Sequence, residues 1–311
     1  MVLAMAAESA LCAPVAPGAE AQRQAEMGRA LAAWLAGKPG GDARTAVAGL
    51  AECLDVVALE GALDVATVRP KGLAGYPQGH LVYRAGDRWV VAPQEREGGT
   101  IGPYRTVTGP AKDRQLIASW GRPGTGIYGR IQLYRLGPKF ELLWESPEYE
   151  KFGMEVLDPD WVSATYRTPQ TWEEPHALQA NCCLPVDGQT LWQRQGNAFV
   201  KKGERLIPNS YRAVSLFVGA LRKGDKATAG KWAASPAVVE EGTRVLSQID
   251  TSSWAQSDRD EEDEELWWEA IPPRLRGPKP SRTRIVWPSG PVKLVTERVG
   301  DQWKVAWIER R

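Results

Sequence analysis

Side chains suited to acid–base or metal chemistry are scarce in this chain. It has two histidines, His80 and His176, and four cysteines, Cys12, Cys53, Cys182 and Cys183. The histidines lie far apart, with no H-E-x-x-H and no Ser–His arrangement, so each reads as a hydrogen-bonded structural residue. There is no Cys-x-x-Cys, so zinc and thioredoxin chemistry lack their spacing. Cys182 and Cys183 are neighbours. On a strand they point to opposite faces and stay reduced, or one of them pairs with Cys53. A vicinal disulfide is the strained alternative. If an N-terminal leader is removed, Cys12 goes with it, and the remaining odd number argues against a disulfide framework.

Two further patterns carry a chemical reading beside a plainer one. Gly124-Thr125-Gly126-Ile127-Tyr128-Gly129 fits G-x-G-x-x-G, but a dinucleotide site needs a helix next, and Arg130 to Tyr134 alternates like a strand. A glycine-rich hairpin loop is the better account. In the acidic run, Asp258, Asp260, Glu262 and Glu269 fall at positions 1, 3, 5 and 12 of a calcium loop. Position 6, where the sharp turn needs glycine, is Asp263, and the run reads as a solvated loop. There is no P-loop and no G-x-S-x-G. Spacing in sequence leaves glycosidase carboxylate pairs open. We therefore assign no catalytic residue, no metal site and no cofactor from motifs.

Elements that position side chains are easier to read. The 311 residues suit two domains, and the net charge of +1 offers no chain-wide field for nucleic acid or an anionic membrane. Residues 1–21 resemble a leader: an apolar start, small residues, and Ala19-Glu20-Ala21 before Gln22, without a basic n-region. They are too short and too interrupted to span a bilayer. Residues 22–79 are expected to be helical. One helix runs from Glu20 to Gly37, with Ala25, Met27, Ala30, Leu31, Trp34 and Leu35 at helical spacing; a second runs from Asp42 to about Leu63, with Gly61 weakening it. Residues 80–205 are expected to be a β-rich domain. Strands are predicted at Leu81–Arg84 and Trp89–Ala92 around Gly86-Asp87, then at Gln115–Ser119, Gly129–Leu136, Phe140–Glu145 and Trp161–Arg167. Gln189–Gln193 and Ala198–Lys201 complete them around Gly196-Asn197. A sandwich, a barrel or part of a propeller fits this run.

From Pro208 the texture changes. Arg212 to Leu221 is an amphipathic helix, Lys226 to Ala234 a short one, and Ser235 with Pro236 opens a third to about Leu246. Strands follow at Leu266–Ile271, Thr283–Trp287, Pro291–Val299 and Gln302–Ile308, the last two joined at Gly300-Asp301. The segment Arg84–Ala92 agrees with Arg298–Ala306 at six of nine positions. Shared turn chemistry explains this as well as a duplication does.

Three helices followed by long antiparallel strands, in residues 206–311, resemble the NTF2-like superfamily. The residues behind this are Ala213-Val214-Ser215-Leu216-Phe217-Val218-Gly219-Ala220-Leu221 with Lys223-Gly224-Asp225, and the closing hairpin from Val295 to Trp307. The resemblance lies in element order. It implies a cone, a curved sheet wrapped over helices with a pocket at the mouth, in a superfamily of isomerases, dehydratases, transport factors and inactive accessory domains. Its enzymes typically place Asp, His or Tyr in that pocket. This segment has no His, and Tyr211 is its only tyrosine.

The expected fold class is thus α+β: a short helical N-terminal region, an antiparallel β-rich middle domain and an NTF2-like α+β cone. Alternation puts Trp303, Val305 and Trp307 on one face of the last strand. That face is expected to be core; otherwise Tyr211, Trp287, Trp303 and Trp307 form an aromatic wall for an apolar ligand. There are fourteen tryptophans. Trp89, Trp144, Trp161, Trp192, Trp287 and Trp303 on strands suit either a β-rich core or glycan stacking. The expected function is that of a non-catalytic exported, periplasmic or envelope-associated protein that binds a partner protein, a glycan or an apolar small molecule. The alternatives are a cytoplasmic location and a small-molecule enzyme, isomerase- or dehydratase-like or a hydrolase, using Tyr211 or an acidic residue in the C-terminal pocket.

Overall fold

The computed structural model describes residues 20–36, 38, 42–46, 53–59, 62–70, 79–93, 100–122, 128–168, 187–250, 268–279 and 283–310. Cys12, Cys182, Cys183, His176, the acidic run up to Glu265 and most of the Gly124–Gly129 motif lie outside them, as does nearly all of the leader-like segment. The architecture is α+β with antiparallel sheets. Helix α1 (Glu20–Ala36) and the single turn α2 (Ala43–Ala46) precede β1 (Leu54–Leu59), β2 (Ala62–Pro70), β3 (His80–Ala85) and β4 (Arg88–Val91). Next come β5 (Thr100–Thr108), β6 (Arg114–Arg122), β7 (Tyr128–Leu136), β8 (Phe140–Glu145), β9 (Tyr149–Asp158), β10 (Trp161–Arg167), β11 (Gly188–Gln195) and β12 (Ala198–Leu206). Helices α3 (Ser210–Arg222), α4 (Lys226–Trp232) and α5 (Pro236–Val245) follow, then strands β13 (Arg284–Ser289), β14 (Val292–Val299) and β15 (Gln302–Arg310).

Strands β1 to β4 form one sheet in sequence order, and β13 to β15 another. The remaining strands run β12-β11-β10-β9-β7-β6-β5, with β8 paired to β7. The chain divides into two compact units, Met1–Val162 with Trp192–Val200, and Ser163–Leu191 with Lys201–Arg311.

In the first unit the β1–β4 sheet is buried on both faces. Leu54, Ala66, Val68, Val82 and Trp89 meet Met27, Leu31 and Leu35 of α1. The alternate residues Val65, Leu81, Tyr83 and Ala92 meet Ile101, Leu116, Ala118 and Trp120 of β5 and β6. Two periods of burial follow from the pleat, since neighbours on a strand face opposite sides. The expected helix from Asp42 to Leu63 is not formed: after α2, the described residues of that stretch are strands β1 and β2, paired antiparallel with Val56 opposite Val68. The reason is that neither strand shows a clean period of two: the edge strand β1 buries only Leu54 and Leu59 and exposes Val57, and β2 buries the consecutive Val65 and Ala66.

Tyr83 shows what that interior does to a polar group. It is fully buried, its hydroxyl donates to the Gly137 carbonyl at 2.9 Å, and burial pushes its phenol up to about 12. Below about pH 10, the ordinary tyrosine range, both folded and unfolded chains keep the proton. Above it the unfolded chain loses the proton first, so stability falls between about pH 10 and 12. Ultraviolet titration of phenolate should show the Tyr83 phenol ionising with unfolding rather than before it, and Tyr83→Phe should remove that component.

Three hairpins turn through Gly-Asp or Gly-Asn pairs as the sequence predicts. Gly86, Gly196 and Gly300 have φ of 63°, 65° and 64°, while Asp87, Asn197 and Asp301 stay at negative φ. This is the type II′ arrangement, which matches the twist of the flanking strands.

In the second unit, α3, α4 and α5 pack on the closing sheet. Val214, Phe217, Leu221, Val238, Trp287, Leu294, Trp303 and Val305 belong to one core. These strands make their own three-stranded sheet. The expected strand Leu266–Ile271 is absent from its described part: Glu269 and Ala270 form a turn and Ile271 a bend. The segment after α4 lies along the edge of β15, with a bridge from Ala233 to Val305 and the Ala234 N–H donating to the Val305 carbonyl at 2.8 Å.

The closing hairpin contains a bulge. Val295 pairs with Trp307 and Thr296 with Val305, which leaves Ala306 unopposed. An extra residue reverses the facing of everything beyond it. Trp303 and Val305 therefore face the core and Ile308 packs against it, while Trp307 is only half-buried. The expectation that Trp303, Val305 and Trp307 share one face is corrected by that single residue.

Candidate functional site

The second unit holds a polar cluster at the start of α3. Asn209, extended at φ −135° and ψ 151°, caps the helix, and its Oδ1 accepts from the Arg212 N–H at 2.6 Å. An oxygen-bearing cap satisfies a backbone donor that the helix cannot. One turn in, the Arg212 guanidinium donates to Asp187 Oδ2 at 3.0 Å. Asp187 is 1% exposed, and it also accepts from the Thr168 backbone N–H at 2.7 Å and the Thr168 hydroxyl at 3.0 Å. A charge removed from water in this way persists only if paired and hydrogen-bonded, and Asp187 is both. The backbone takes part too, since the Ile207 N–H donates to the Asp187 carbonyl at 2.8 Å.

Beside this cluster is a cleft of about 170 Å³. Leu206, Ile207, Pro208, Trp232 and Trp303 give it apolar walls; Asn209, Arg212, Asp301 and Gln302 supply its polar groups. The linker after β12 contributes the first wall, α4 the second, and the Gly300-Asp301 turn brings Asp301 and Trp303 to it. A neighbouring cleft of about 470 Å³ lies where α4 meets α5, lined by residues such as Lys226, Ser235, Glu240 and Lys304.

The four aromatic residues expected to bind ligand separate into different roles. Tyr211 is 7% exposed, and its ring meets Trp287 edge-on at 5.8 Å between ring centres. Trp287 and Trp303, each 3% exposed, are core residues, and Trp303 alone of the four borders the small cleft. Trp307 sits under the Arg284 guanidinium at 4.2 Å from the ring centre, and its indole N–H donates to Glu309 at 3.0 Å. The structure therefore does not gather these four into one wall. Asn209, Arg212, Asp187 and Trp232 were not singled out by sequence reasoning. Asn209 just ahead of an amphipathic helix was a legible cap; the Asp187–Arg212 pairing spans 25 residues and left no local signal.

In the first unit, His80 is buried and lies against Gly28 of α1, where an added Cβ would come within 2.8 Å of its ring. It borders a cleft of about 340 Å³ with Arg29 and Val91. Two carboxylates elsewhere in this unit are neutralised by arginines. Glu148 accepts from Arg122 at 2.8 Å and Arg130 at 3.3 Å, and the Arg122 hydrogen bond holds its carboxyl below the usual range. Asp113 is likewise held down by Arg135, at 2.8 Å. Among the described residues no group of three or more His, Cys, Asp or Glu could hold a metal ion. Of the strand tryptophans considered for glycan stacking, Trp89, Trp192, Trp287 and Trp303 are buried; Trp144 packs edge-on to Trp192 at 5.1 Å. Cys53 is disulfide-bonded. Among the described residues no helix is long and apolar enough to cross a membrane. Compared with known proteins, the chain matches no family model, no curated protein and no solved structure.

Proposed function

We propose that this is a non-catalytic binding protein, exported to the periplasm or cell envelope, whose C-terminal unit is an NTF2-like accessory domain. The observation that carries the reading is the interior of that unit. Where an enzyme of the NTF2-like kind keeps an open pocket, Tyr211, Phe217, Trp287 and Trp303 fill the space between helices and sheet. Filled to packing density, such an interior stabilises a fold and leaves no room for a substrate beside an acid–base group. Recognition then falls to clefts and surfaces at the margin. Export is supported by the leader-like start and by the Cys53 disulfide, because such bonds persist in oxidising compartments.

The test is fractionation of cells expressing the native gene, with N-terminal sequencing of the product. The expected result is protein outside the cytoplasm, beginning near Gln22, with Cys53 resistant to alkylation until reduced. Cytoplasmic protein with an intact Met1 and a freely alkylated Cys53 would overturn the reading.

A further inference from the structure

The wider cleft, of about 470 Å³, lies between α4 and α5, where the connector meets the edge of β15. Three charged side chains border it from three elements: Lys226 opens α4, Glu240 stands on α5 and Lys304 on β15. Lys226 and Glu240 are exposed and Lys304 is half-buried, so all three are open to solvent. Elsewhere in this unit opposite charges pair directly, as in Arg212–Asp187, Arg244–Glu241 and Lys293–Glu309. Among the described residues, the side chains of Lys226, Glu240 and Lys304 make no ion pair or hydrogen bond. Their nearest carboxylates along the elements are engaged elsewhere. Asp225, next to Lys226, caps α4 by accepting from the Thr228 N–H at 2.9 Å. Glu297, opposite Lys304 in the ladder, pairs with Arg284 at 3.0 Å.

The groups left over define a ligand. Ammonium groups only donate and an ionised carboxylate only accepts, so a molecule that uses all three brings anionic oxygens for the lysines and a donor for Glu240. Two cations against one carboxylate leave the rim net positive, and an anionic end is what it attracts. Lysine acts on phosphate as a point charge, which suits two ammoniums arriving from separate elements. The rest of the lining is small or aliphatic apart from the Ser235 hydroxyl, with no aromatic ring for a flat base to stack on. At Gly230 an added Cβ would meet no atom within 4 Å, so the concavity is open there. The volume falls in the ~300–1,000 Å³ range of small-molecule sites.

We propose that this cleft binds a phosphorylated polyol or sugar, with its phosphate held by Lys226 and Lys304 and one of its hydroxyls donating to Glu240. The proposal rests on the reading that recognition in this unit falls to marginal clefts, and it names the ligand chemistry of one of them.

It is tested by isothermal titration calorimetry of the full chain at low ionic strength, where such charges are least screened. The probes are glucose 6-phosphate, inorganic phosphate and glucose. Glucose 6-phosphate is expected to saturate one site, about tenfold more tightly than inorganic phosphate, with no binding of glucose. Lys226→Gln and Lys304→Gln should each weaken the ester about tenfold. Glu240→Ala removes an acceptor for the sugar and a repulsion of the phosphate, so it should narrow the ester's advantage over inorganic phosphate. Gly230→Leu keeps all three charges, fills the cleft and suits a helix better than glycine; it should abolish binding without lowering Tm. No saturable binding, equal affinity for inorganic phosphate, unchanged affinity in either lysine variant, an unchanged ratio in Glu240→Ala, or full binding in Gly230→Leu would each overturn the proposal. Export is decided separately by the fractionation experiment, whose outcome does not depend on this cleft.

Discussion

Replacing Asp187 by alanine is expected to destabilise the second unit by about 3–5 kcal/mol, the usual consequence of stranding one member of a buried ion pair. Arg212 would keep its charge with its side chain only 11% exposed, and both the N–H and the hydroxyl of Thr168 would lose their acceptor. Chemical denaturation should show a lower midpoint for the transition of that unit. Asp187→Asn paired with Arg212→Met removes both charges and should recover much of the loss, since exchanging a buried pair for neutral groups is often nearly neutral. The exposed pair Arg284–Glu297, at 3.0 Å, provides the contrast, with side chains 55% and 37% exposed. Its disruption should change stability by at most about 1 kcal/mol. An Asp187 variant as mild as the exposed control would mean that the pair is hydrated in solution.

The second large effect separates two tryptophans only four residues apart. Trp303→Ala empties a space in the core bounded by α3, α4 and the closing sheet, and should destabilise by about 3–5 kcal/mol. Trp307→Ala should lose about 1 kcal/mol, mostly its contact with Arg284. Strict alternation would place both side chains in the same environment and predict equal losses. Equal midpoint shifts in denaturation would thus show that Ala306 is not bulged in solution. Deleting Ala306 is a sharper probe of the same feature, because it removes the extra residue and leaves Trp307 opposite Val295 and Ile308 opposite Leu294 in plain alternation, so that Trp307 stays outward and Ile308 inward.

How far the sequence anticipates these features depends on what surrounds each segment. The helices α3 and α5 were legible because one face is buried and the other solvated, and because Asn209, Ser235 and Pro236 mark their starts. Most strands from β6 to β12 were legible from short runs of β-branched, aromatic and other apolar residues between turn signals, although β6, β7 and β11 bury consecutive residues, and the hairpins were legible from their Gly-Asp and Gly-Asn pairs. Strands β1 and β2 were not: β1 exposes Val57 at the sheet edge and β2 buries the consecutive Val65 and Ala66, so neither shows the alternation that identifies a strand. Strand β5 was hidden by Gly102 and Pro103. Proline is tolerated there because β5 ends its sheet and a bulge at Tyr104 interrupts the ladder beside it. The phase change in β15 did leave a trace, since Trp307-Ile308 places two large apolar residues side by side after an alternating run. The candidate site was the least legible part. Asp187, Arg212 and Trp303 converge from separate elements, and the aromatic residues that looked ready for a ligand are mostly occupied with one another.

The partition of the chain has a bearing on synthesis. Residues 192–200 belong with the first unit although 163–191 belong with the second. Neither unit can be excised as one uninterrupted gene fragment. On the ribosome, moreover, the first unit stays incomplete until residue 200 has left the exit tunnel, so residues 163–191 of the second must emerge before the first can close.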